Sequence, residues 1–172
     1  MNTGFLIEEL QKNARIFESF FIPTPEADDF IRWKPFPEKW CLLEILCHLI
    51  DEEKEDFRTR VKFALENTPG QPPAIDPTGW VLSRNYIHQN YAEKCVEFLS
   101  ERNLSTIWLN SLPEGNWTSF FIHPKFGKFT AHYLLSNWLA HDFLHIRQII
   151  KLKYDYLAQK CGENSKYAGE WA

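Results

Sequence analysis

The sequence has no cluster of cysteines. Its four cysteines, Cys41, Cys47, Cys95 and Cys161, are scattered through 172 residues and form no Cys-x-x-Cys pair. That spacing argues against a zinc site built from thiolates and is typical of free thiols in a reducing compartment. Residues 1–11 also lack the basic segment and the long apolar run of a signal peptide. We therefore expect a cytoplasmic protein.

Long runs of one kind of residue are missing as well. No apolar run is long enough to span a bilayer, and no Lys/Arg run marks a nucleic-acid or membrane surface. The net charge is only −4. Bulky side chains, in contrast, are abundant, because 44% of the residues are hydrophobic and 16% are aromatic. Such a composition can form a large core without disulfides, so we expect one globular domain covering residues 1–172.

Hydrophobic periodicity predicts four long helices with long connections between them. The predicted helices cover residues 3–20, 38–66, 82–102 and 130–159. Pro37 is suited to the start of the second helix, and Thr130 is suited to the N-cap of the fourth. The sequence therefore predicts an all-α protein, with an antiparallel four-helix bundle as its architecture.

Two other segments do not have a helical pattern. Residues 116–129 are aromatic and β-branched on either side of a turn at residues 124–127, which predicts a short β-hairpin or an extended lobe outside the bundle. Residues 160–172 contain few apolar side chains, and we expect them to form a loose tail. Residues 104–113 are ambiguous.

Two histidines four residues apart stand out in the fourth predicted helix. His141 and His145 lie one above the other on one helical face, in the same stripe as Trp138 and Ile149. Two imidazoles at this spacing can bind one metal ion. The alternative is a pair of helix-surface histidines without a ligand.

A metal ion would need a third protein ligand, and His48 is the best candidate. It lies in the second predicted helix, on the same face as Ile45, Leu49 and Glu52. The alternative for His48 is a core histidine that is hydrogen-bonded to a carboxylate. The remaining histidines, His88, His123 and His132, are weaker candidates.

Charged residues near these histidines supply further candidates. Glu52 lies one turn after His48 and has three candidate roles: a fourth ligand, a hydrogen-bond partner of a ligand, or a general base. The alternative is a solvated glutamate. The sequence leaves the same roles open for Asp51. Arg147 and Arg58 are candidates to contact an anionic substrate group, although exposed helix arginines are common. Asp142 directly follows His141, and Cys47 directly precedes His48, so both side chains should point away from the candidate metal.

Two motifs resemble a known family. Residues 40–51, Trp-Cys-Leu-Leu-Glu-Ile-Leu-Cys-His-Leu-Ile-Asp, resemble the first motif of the DinB superfamily of metal-binding four-helix bundles. Residues 127–130 followed by residues 141–148 resemble its last motif. The segment from His48 to residue 69 also resembles the YfiT-type branch, whose members include bacillithiol S-transferases. The resemblance implies a metal site formed by His48, His141 and His145, and a homodimer.

The resemblance also implies a function. One divalent ion, with zinc or nickel favoured, would activate either a low-molecular-weight thiol in an S-transferase or water in a hydrolase, and the substrate would be a small molecule. The alternative is a non-catalytic metal-binding bundle that acts as a binding or stress-related module. In that case a fourth protein ligand, for which Glu52 is the obvious candidate, would close the coordination shell.

Overall fold

Seven α-helices and one β-hairpin make up the computed structural model, which describes residues 2–22, 28–112, 115–163, 166–169 and 171. The helices are α1 (Thr3–Phe21), α2 (Asp28–Ile31), α3 (Leu42–Asp51), α4 (Arg58–Leu65), α5 (Trp80–Ser83), α6 (Tyr91–Ser111) and α7 (Ala131–Cys161). A π-helical segment, Glu52–Phe57, joins α3 to α4, and short 3₁₀ turns cover Tyr86–His88 and Lys166–Ala168.

Four long helical stretches form a bundle. The first is α1, and the second is the continuous stretch formed by α3, the π-helical segment and α4. The third and fourth are α6 and α7. Helix α1 packs against α6 and α7, while α3 packs against α6 and α4 packs against α7. The predicted all-α bundle with a small hairpin is therefore confirmed. In the described part of the chain, none of the helices has the length and hydropathy of a membrane-spanning segment.

The second predicted helix begins later than expected. The prediction of a start at residue 38 is wrong, because the N-cap is Cys41, whose backbone is extended. The Glu44 carboxylate accepts hydrogen bonds from the Cys41 backbone N–H at 2.9 Å and from Lys34 Nζ at 2.7 Å. The bond to Glu44 satisfies the Cys41 N–H, which would otherwise lack a partner, and the helix begins at Leu42.

The same helix is also interrupted in the middle. The Arg58 backbone N–H bonds to the carbonyl of Glu53, five residues earlier, which is the hydrogen-bond pattern of a π-helix. The extra residue in this turn changes the orientation of the side chains that follow. Two consecutive glutamates at the start of this segment, Glu52 and Glu53, are both buried, with 5% and 1% of their surface exposed.

The third predicted helix is displaced along the chain. Helix α6 begins at Tyr91 rather than at residue 82, so the prediction of residues 82–102 is wrong at both ends. Asn85 has a left-handed backbone, with φ of 51°, and separates the short helix α5 from the next turn. The Asn90 side chain then accepts a hydrogen bond from the Glu93 N–H and caps α6. The ambiguous residues 104–111 belong to α6, whereas residue 113 lies outside the described residues.

The hairpin and the last helix agree with the predictions. Strands β1 (Phe120–His123) and β2 (Gly127–Thr130) pair antiparallel, with Phe121 opposite Phe129. Phe121 is buried and packs edge-on against Phe63 of α4. The Thr130 hydroxyl accepts a hydrogen bond from the Tyr133 N–H at 3.0 Å, as expected of an N-cap. The hairpin therefore lies against α4 and α7, at one side of the bundle.

Helix α7 ends at Cys161, two residues beyond the predicted end. Gly162 follows with a left-handed backbone, which is typical of a helix C-terminus. In the described part of the predicted tail, the Trp171 ring packs 5.2 Å from that of Tyr154 on α7. Tyr167 is fully exposed. Residues 164, 165, 170 and 172 lie outside the described residues.

Candidate metal centre

The three histidines of the two motifs meet in the interior of the bundle. His141 Nε2 lies 3.3 Å from His48 Nε2 and 3.0 Å from His145 Nε2. The three candidate ligand atoms all lie within 4.8 Å of one another. In the described part of the chain, no other group of three or more His, Cys, Asp and Glu side chains has this geometry. The structure thus brings together the three residues that the sequence singled out.

Helices α3 and α7 position these rings from opposite sides. His48 comes from α3, and His141 and His145 come from consecutive turns of α7. Aromatic rings enclose the group, because Trp40 lies 4.9 Å from the His48 ring and Phe57 lies 5.1 Å from the His141 ring. His48 and His145 are buried, whereas the side chain of His141 keeps 19% of its surface exposed. The cluster is therefore accessible mainly at His141.

A neighbouring side chain determines the protonation of His145. Its Nδ1 lies 2.8 Å from the Gln148 side-chain oxygen, which can only accept. Nδ1 therefore carries the ring proton, and Nε2 keeps a lone pair that faces the other two histidines. An outer hydrogen bond of this kind is typical of metal-binding histidines, because it determines both the tautomer and the ring orientation. Nδ1 of His48, in contrast, is buried without a hydrogen bond of ordinary geometry.

Burial keeps the three rings neutral. It lowers the pKa of His48 to about 3, with His145 adding to the effect while the backbone of Pro77 opposes it. It lowers the pKa of His141 to about 2, with the other two histidines and Arg102 adding to the effect. It also lowers the pKa of His145, although the hydrogen bond to Gln148 acts in the opposite direction. Neutral imidazoles are the form that binds metals.

The donor set fits a divalent cation. Ligands held about 2.0–2.1 Å from a tetrahedral zinc ion are separated from one another by roughly 3.3–3.4 Å. The N···N distances of 3.0 and 3.3 Å are close to that value. A hydrogen bond between two imidazoles satisfies only one of these N···N contacts. One cation, in contrast, can bind the lone pairs of all three rings. The fourth direction of a tetrahedron would remain for water, substrate or a carboxylate.

Glu52 is the carboxylate nearest to this group. Its Oε2 lies 4.0 Å from His141 Nε2, and its Oε1 is buried without a hydrogen-bond partner. Burial raises the pKa of Glu52 to about 8, with Asp56 as a further cause and Arg60 acting in the opposite direction. The solvated glutamate considered from the sequence is thus wrong for Glu52, because only 5% of its surface is exposed.

The other charged candidates lie elsewhere. Arg58 is paired with Glu101 and Ser105 on α6. Asp51 accepts hydrogen bonds from Tyr86 and Arg84, away from the histidines.

Arg147 is exposed and lines a cavity of about 580 Å³ together with Gln148, which holds His145. Burial raises the pKa of Cys47 to about 12, so its thiol is not activated.

A buried ionic network behind the histidines was not predicted. The Arg102 guanidinium donates to Asp142 at 2.6 and 2.8 Å and to Glu53 at 3.0 Å. Asn13 also donates to Asp142, and the Trp138 indole N–H donates to Glu53. Asp142 immediately follows His141, so the network joins the metal-facing helix to the other three parts of the bundle. No spacing in the sequence indicates it, because its members come from four separate elements.

A second cavity, of about 440 Å³, opens directly on His141. The hairpin, the π-helical segment, α4 and α7 form its walls, together with Ile75. His123, which the sequence ranked as a weak ligand candidate, lines this cavity and does not join the cluster. The histidine group therefore lies beside a space large enough for a small organic molecule.

Comparison with known proteins gives the family. The model of the DinB superfamily matches residues 9–149. A search of curated proteins gives no match. Among solved structures, the chain is similar to YfiT from Bacillus subtilis, described as a probable metal-dependent hydrolase with an unusual four-helix bundle topology. The two chains share 16% identity with a TM-score of 0.75, over 94% of this chain and 89% of YfiT, so this likeness concerns the fold. Since the family model covers most of its length, the chain belongs to the DinB superfamily.

Proposed function

We propose that His48, His141 and His145 hold one divalent metal ion and that the protein is a metal-dependent enzyme acting on a small molecule. The observation that carries this proposal is the convergence of three Nε2 atoms, with His141 Nε2 at 3.3 and 3.0 Å from the other two. The hydrogen bond from His145 Nδ1 to Gln148 supports it, because it directs the lone pair of Nε2 inward. Zinc and nickel both suit three imidazole ligands.

The chemistry would be the activation of a nucleophile. A divalent ion held by three neutral imidazoles keeps its double charge and lowers the pKa of a bound water or thiol. Glu52 would act beside it, because its Oε2 lies 4.0 Å from His141 Nε2. When Glu52 is ionised, Oε2 can accept a proton from the nucleophile, and in either form it can hold the nucleophile in place by a hydrogen bond. Phe57 and Trp40 would limit the access of water to the rings.

Two nucleophiles are compatible with this centre. Hydrolysis, with water as the nucleophile, is the activity suggested for YfiT. Thiol transfer is supported by a different observation, the cavity of about 580 Å³ next to Gln148, which three cationic side chains line. These are Lys39, Arg147 and Lys151, of which Lys151 forms an ion pair with Asp155. A low-molecular-weight thiol carrying carboxylates would fit such a surface, with Arg147 as the anion contact.

Turnover by metal-loaded protein separates the two reactions. Hydrolysis of p-nitrophenyl acetate should be measured without thiol, and conjugation of chlorodinitrobenzene should be measured with added cysteine. A hydrolase accelerates only the first reaction, and a transferase accelerates only the second. His145→Ala should abolish either activity, and Arg147→Ala should raise the KM for the thiol only. If wild-type protein carries metal but accelerates neither reaction, the catalytic part of the proposal fails for these substrate classes.

The non-catalytic alternative makes a different prediction about coordination. If Glu52 is a fourth ligand, the ion has no exchangeable position, and the protein is a metal-binding module. Cobalt-substituted protein should then give the same absorption spectrum with and without added azide. An enzyme with an open position should show a spectral change on azide binding, and Glu52→Gln should leave that change in place.

A further inference from the structure

The β-hairpin supplies an aromatic wall for the cavity beside His141. The cavity is lined by residues of the hairpin, of the π-helical segment and α4, and of α7, together with Ile75. Three hairpin side chains line it, namely His123, Phe126 and Phe129, and Tyr133 continues the wall at the start of α7. Leu134 and Ala140 add further apolar surface from α7. The space is therefore mainly apolar, with the exposed edge of the histidine cluster in one wall.

The hairpin rings lie nearly parallel to one another. The planes of His123 and Phe126 are 29° apart with centroids at 4.9 Å, and those of His123 and Phe129 are 25° apart at 5.1 Å. Nδ1 of His123 accepts hydrogen bonds from the backbone N–H groups of Lys125 and Phe126, at 3.1 and 3.2 Å. These bonds hold the His123 ring against the turn. The result is a preorganised stack of flat surfaces at the tip of the hairpin.

The charged groups of the same cavity are already paired. Arg60 forms an ion pair with Asp56 on the preceding turn of the helix, and its Nη2 donates to the carbonyl of Pro73 at 3.2 Å. Neither side chain is therefore free to bind a charged ligand. This cavity differs from the one next to Gln148, where Lys39, Arg147 and Lys151 lie together. The two spaces share Leu144 as a common wall and differ in charge.

We propose that the cavity beside His141 binds a flat, uncharged, aromatic or conjugated group of the substrate, which lies against Phe126 and Phe129 with the reacting atom directed toward His141. The substrate class rests on the proposed function, since the reacting centre is the metal held by the three histidines. The affinity of the cavity for flat rings does not depend on the proposed function, because the aromatic wall exists without the metal.

A pair of hydroxamic acids tests the metal-loaded protein. Acetohydroxamic acid and benzohydroxamic acid chelate a metal through the same group and differ in one ring. The ring should increase affinity, measured by calorimetry, by about tenfold, because it removes apolar surface from water. Phe126→Ala should reduce this gain by about three- to tenfold and leave acetohydroxamate binding unchanged.

The matched control is Phe120→Ala on the same hairpin. Phe120 is exposed, and side chains alternate along a strand, so it faces away from Phe121 and from the cavity. Phe120→Ala should bind both hydroxamates as the wild type does. Both substitutions remove an exposed ring, so neither should impair folding.

A metal-free measurement keeps the proposal testable if the metal hypothesis fails. Protein treated with chelator should be titrated with 2-naphthol, and Phe126→Ala should bind it several-fold more weakly than the wild type and Phe120→Ala do. Binding of 2-naphthol without binding of either hydroxamate would support the aromatic site and contradict the metal centre. Equal affinity of wild type and Phe126→Ala for 2-naphthol would overturn the aromatic site. Equal affinity of the metal-loaded wild type for the two hydroxamates would also overturn the aromatic site.

Discussion

Gln148 and His145 show how one outer hydrogen bond prepares a ligand. Because the amide oxygen of Gln148 accepts from Nδ1, the lone pair of Nε2 faces His141 at 3.0 Å. His48 has no comparable hydrogen bond in the described structure, and Trp40 holds its ring by packing at a centroid distance of 4.9 Å. The two buried histidines are thus oriented by different means, one by hydrogen bonding and the other mainly by shape.

The first prediction concerns His145 itself. His145→Ala should lose most of the bound metal after native expression, because two imidazoles from different helices leave the ion under-coordinated. The helix should still fold, since Ile149 and Leu135 on the same element remain buried. Elemental analysis measures the metal, and circular dichroism measures the fold. The control is His88→Ala, which removes an exposed histidine, and metal retention by His145→Ala would contradict the proposed site.

The second prediction concerns Gln148. Gln148→Leu should weaken metal binding by about 10- to 100-fold, because His145 would lose the acceptor that selects its tautomer. Gln148→Glu should preserve affinity, since a carboxylate accepts the same hydrogen bond. Competition with a fluorescent zinc chelator gives both affinities. Equal affinities for the leucine and glutamate variants would mean that packing alone orients His145.

At the scale of the helices, the π-helical segment contributes side chains to two sites. Glu52 lies beside His141, and its neighbour Glu53 pairs with Arg102 behind the histidines. Successive side chains of a helix point about 100° apart, so these two neighbours contact different partners. The i, i+5 hydrogen bond from Arg58 to Glu53 lies in the same segment.

The third prediction concerns this network. Arg102→Ala should destabilise the protein by about 3–5 kcal/mol, because Glu53 and Asp142 would be left buried without their cationic partner. The half-buried pair between Lys54 and Glu97 joins the same two elements, and Lys54→Ala should cost about 1 kcal/mol or less. Urea denaturation at neutral pH measures both changes. Similar losses for the two variants would show that the buried network contributes no more than a surface ion pair.

At the scale of the whole molecule, α7 presents an apolar stripe to solvent. Phe143, Ile150 and Leu157 follow one another at intervals of seven residues and are 48, 41 and 53% exposed. Residues seven apart lie on nearly the same side of a helix. This surface is consistent with the homodimer expected from the family resemblance, which stays a prediction.

The fourth prediction is therefore a dimer that uses this stripe. Wild-type protein should sediment as a dimer at micromolar concentration, and Ile150→Glu should shift it toward the monomer by burying a charge in the interface. Val96→Glu, which changes a more exposed apolar residue on α6, should not. A monomeric wild type would contradict the prediction, and a dimeric Ile150→Glu variant would place the interface elsewhere.

Local pattern was enough to predict some elements and not others. The hairpin and the N-cap at Thr130 depend on residues close in sequence, and both are confirmed. The third helix was misplaced because Tyr86 is buried like a helix residue, although it belongs to a short 3₁₀ turn before α6. The start of the second helix depends on Glu44 bonding back to Cys41 and on Lys34, a combination that hydrophobic periodicity does not indicate.

The sequence by itself determined the helical architecture and which three histidines come together. Periodic apolar positions select helices, and histidines placed in those stripes must face the same interior. Only the tertiary structure decided what surrounds them. The Arg102 network and the aromatic wall of the cavity beside His141 bring together residues from separate elements, which no local pattern relates. Their geometry follows from packing, because each buried charge or ring takes the partner that the neighbouring helix presents.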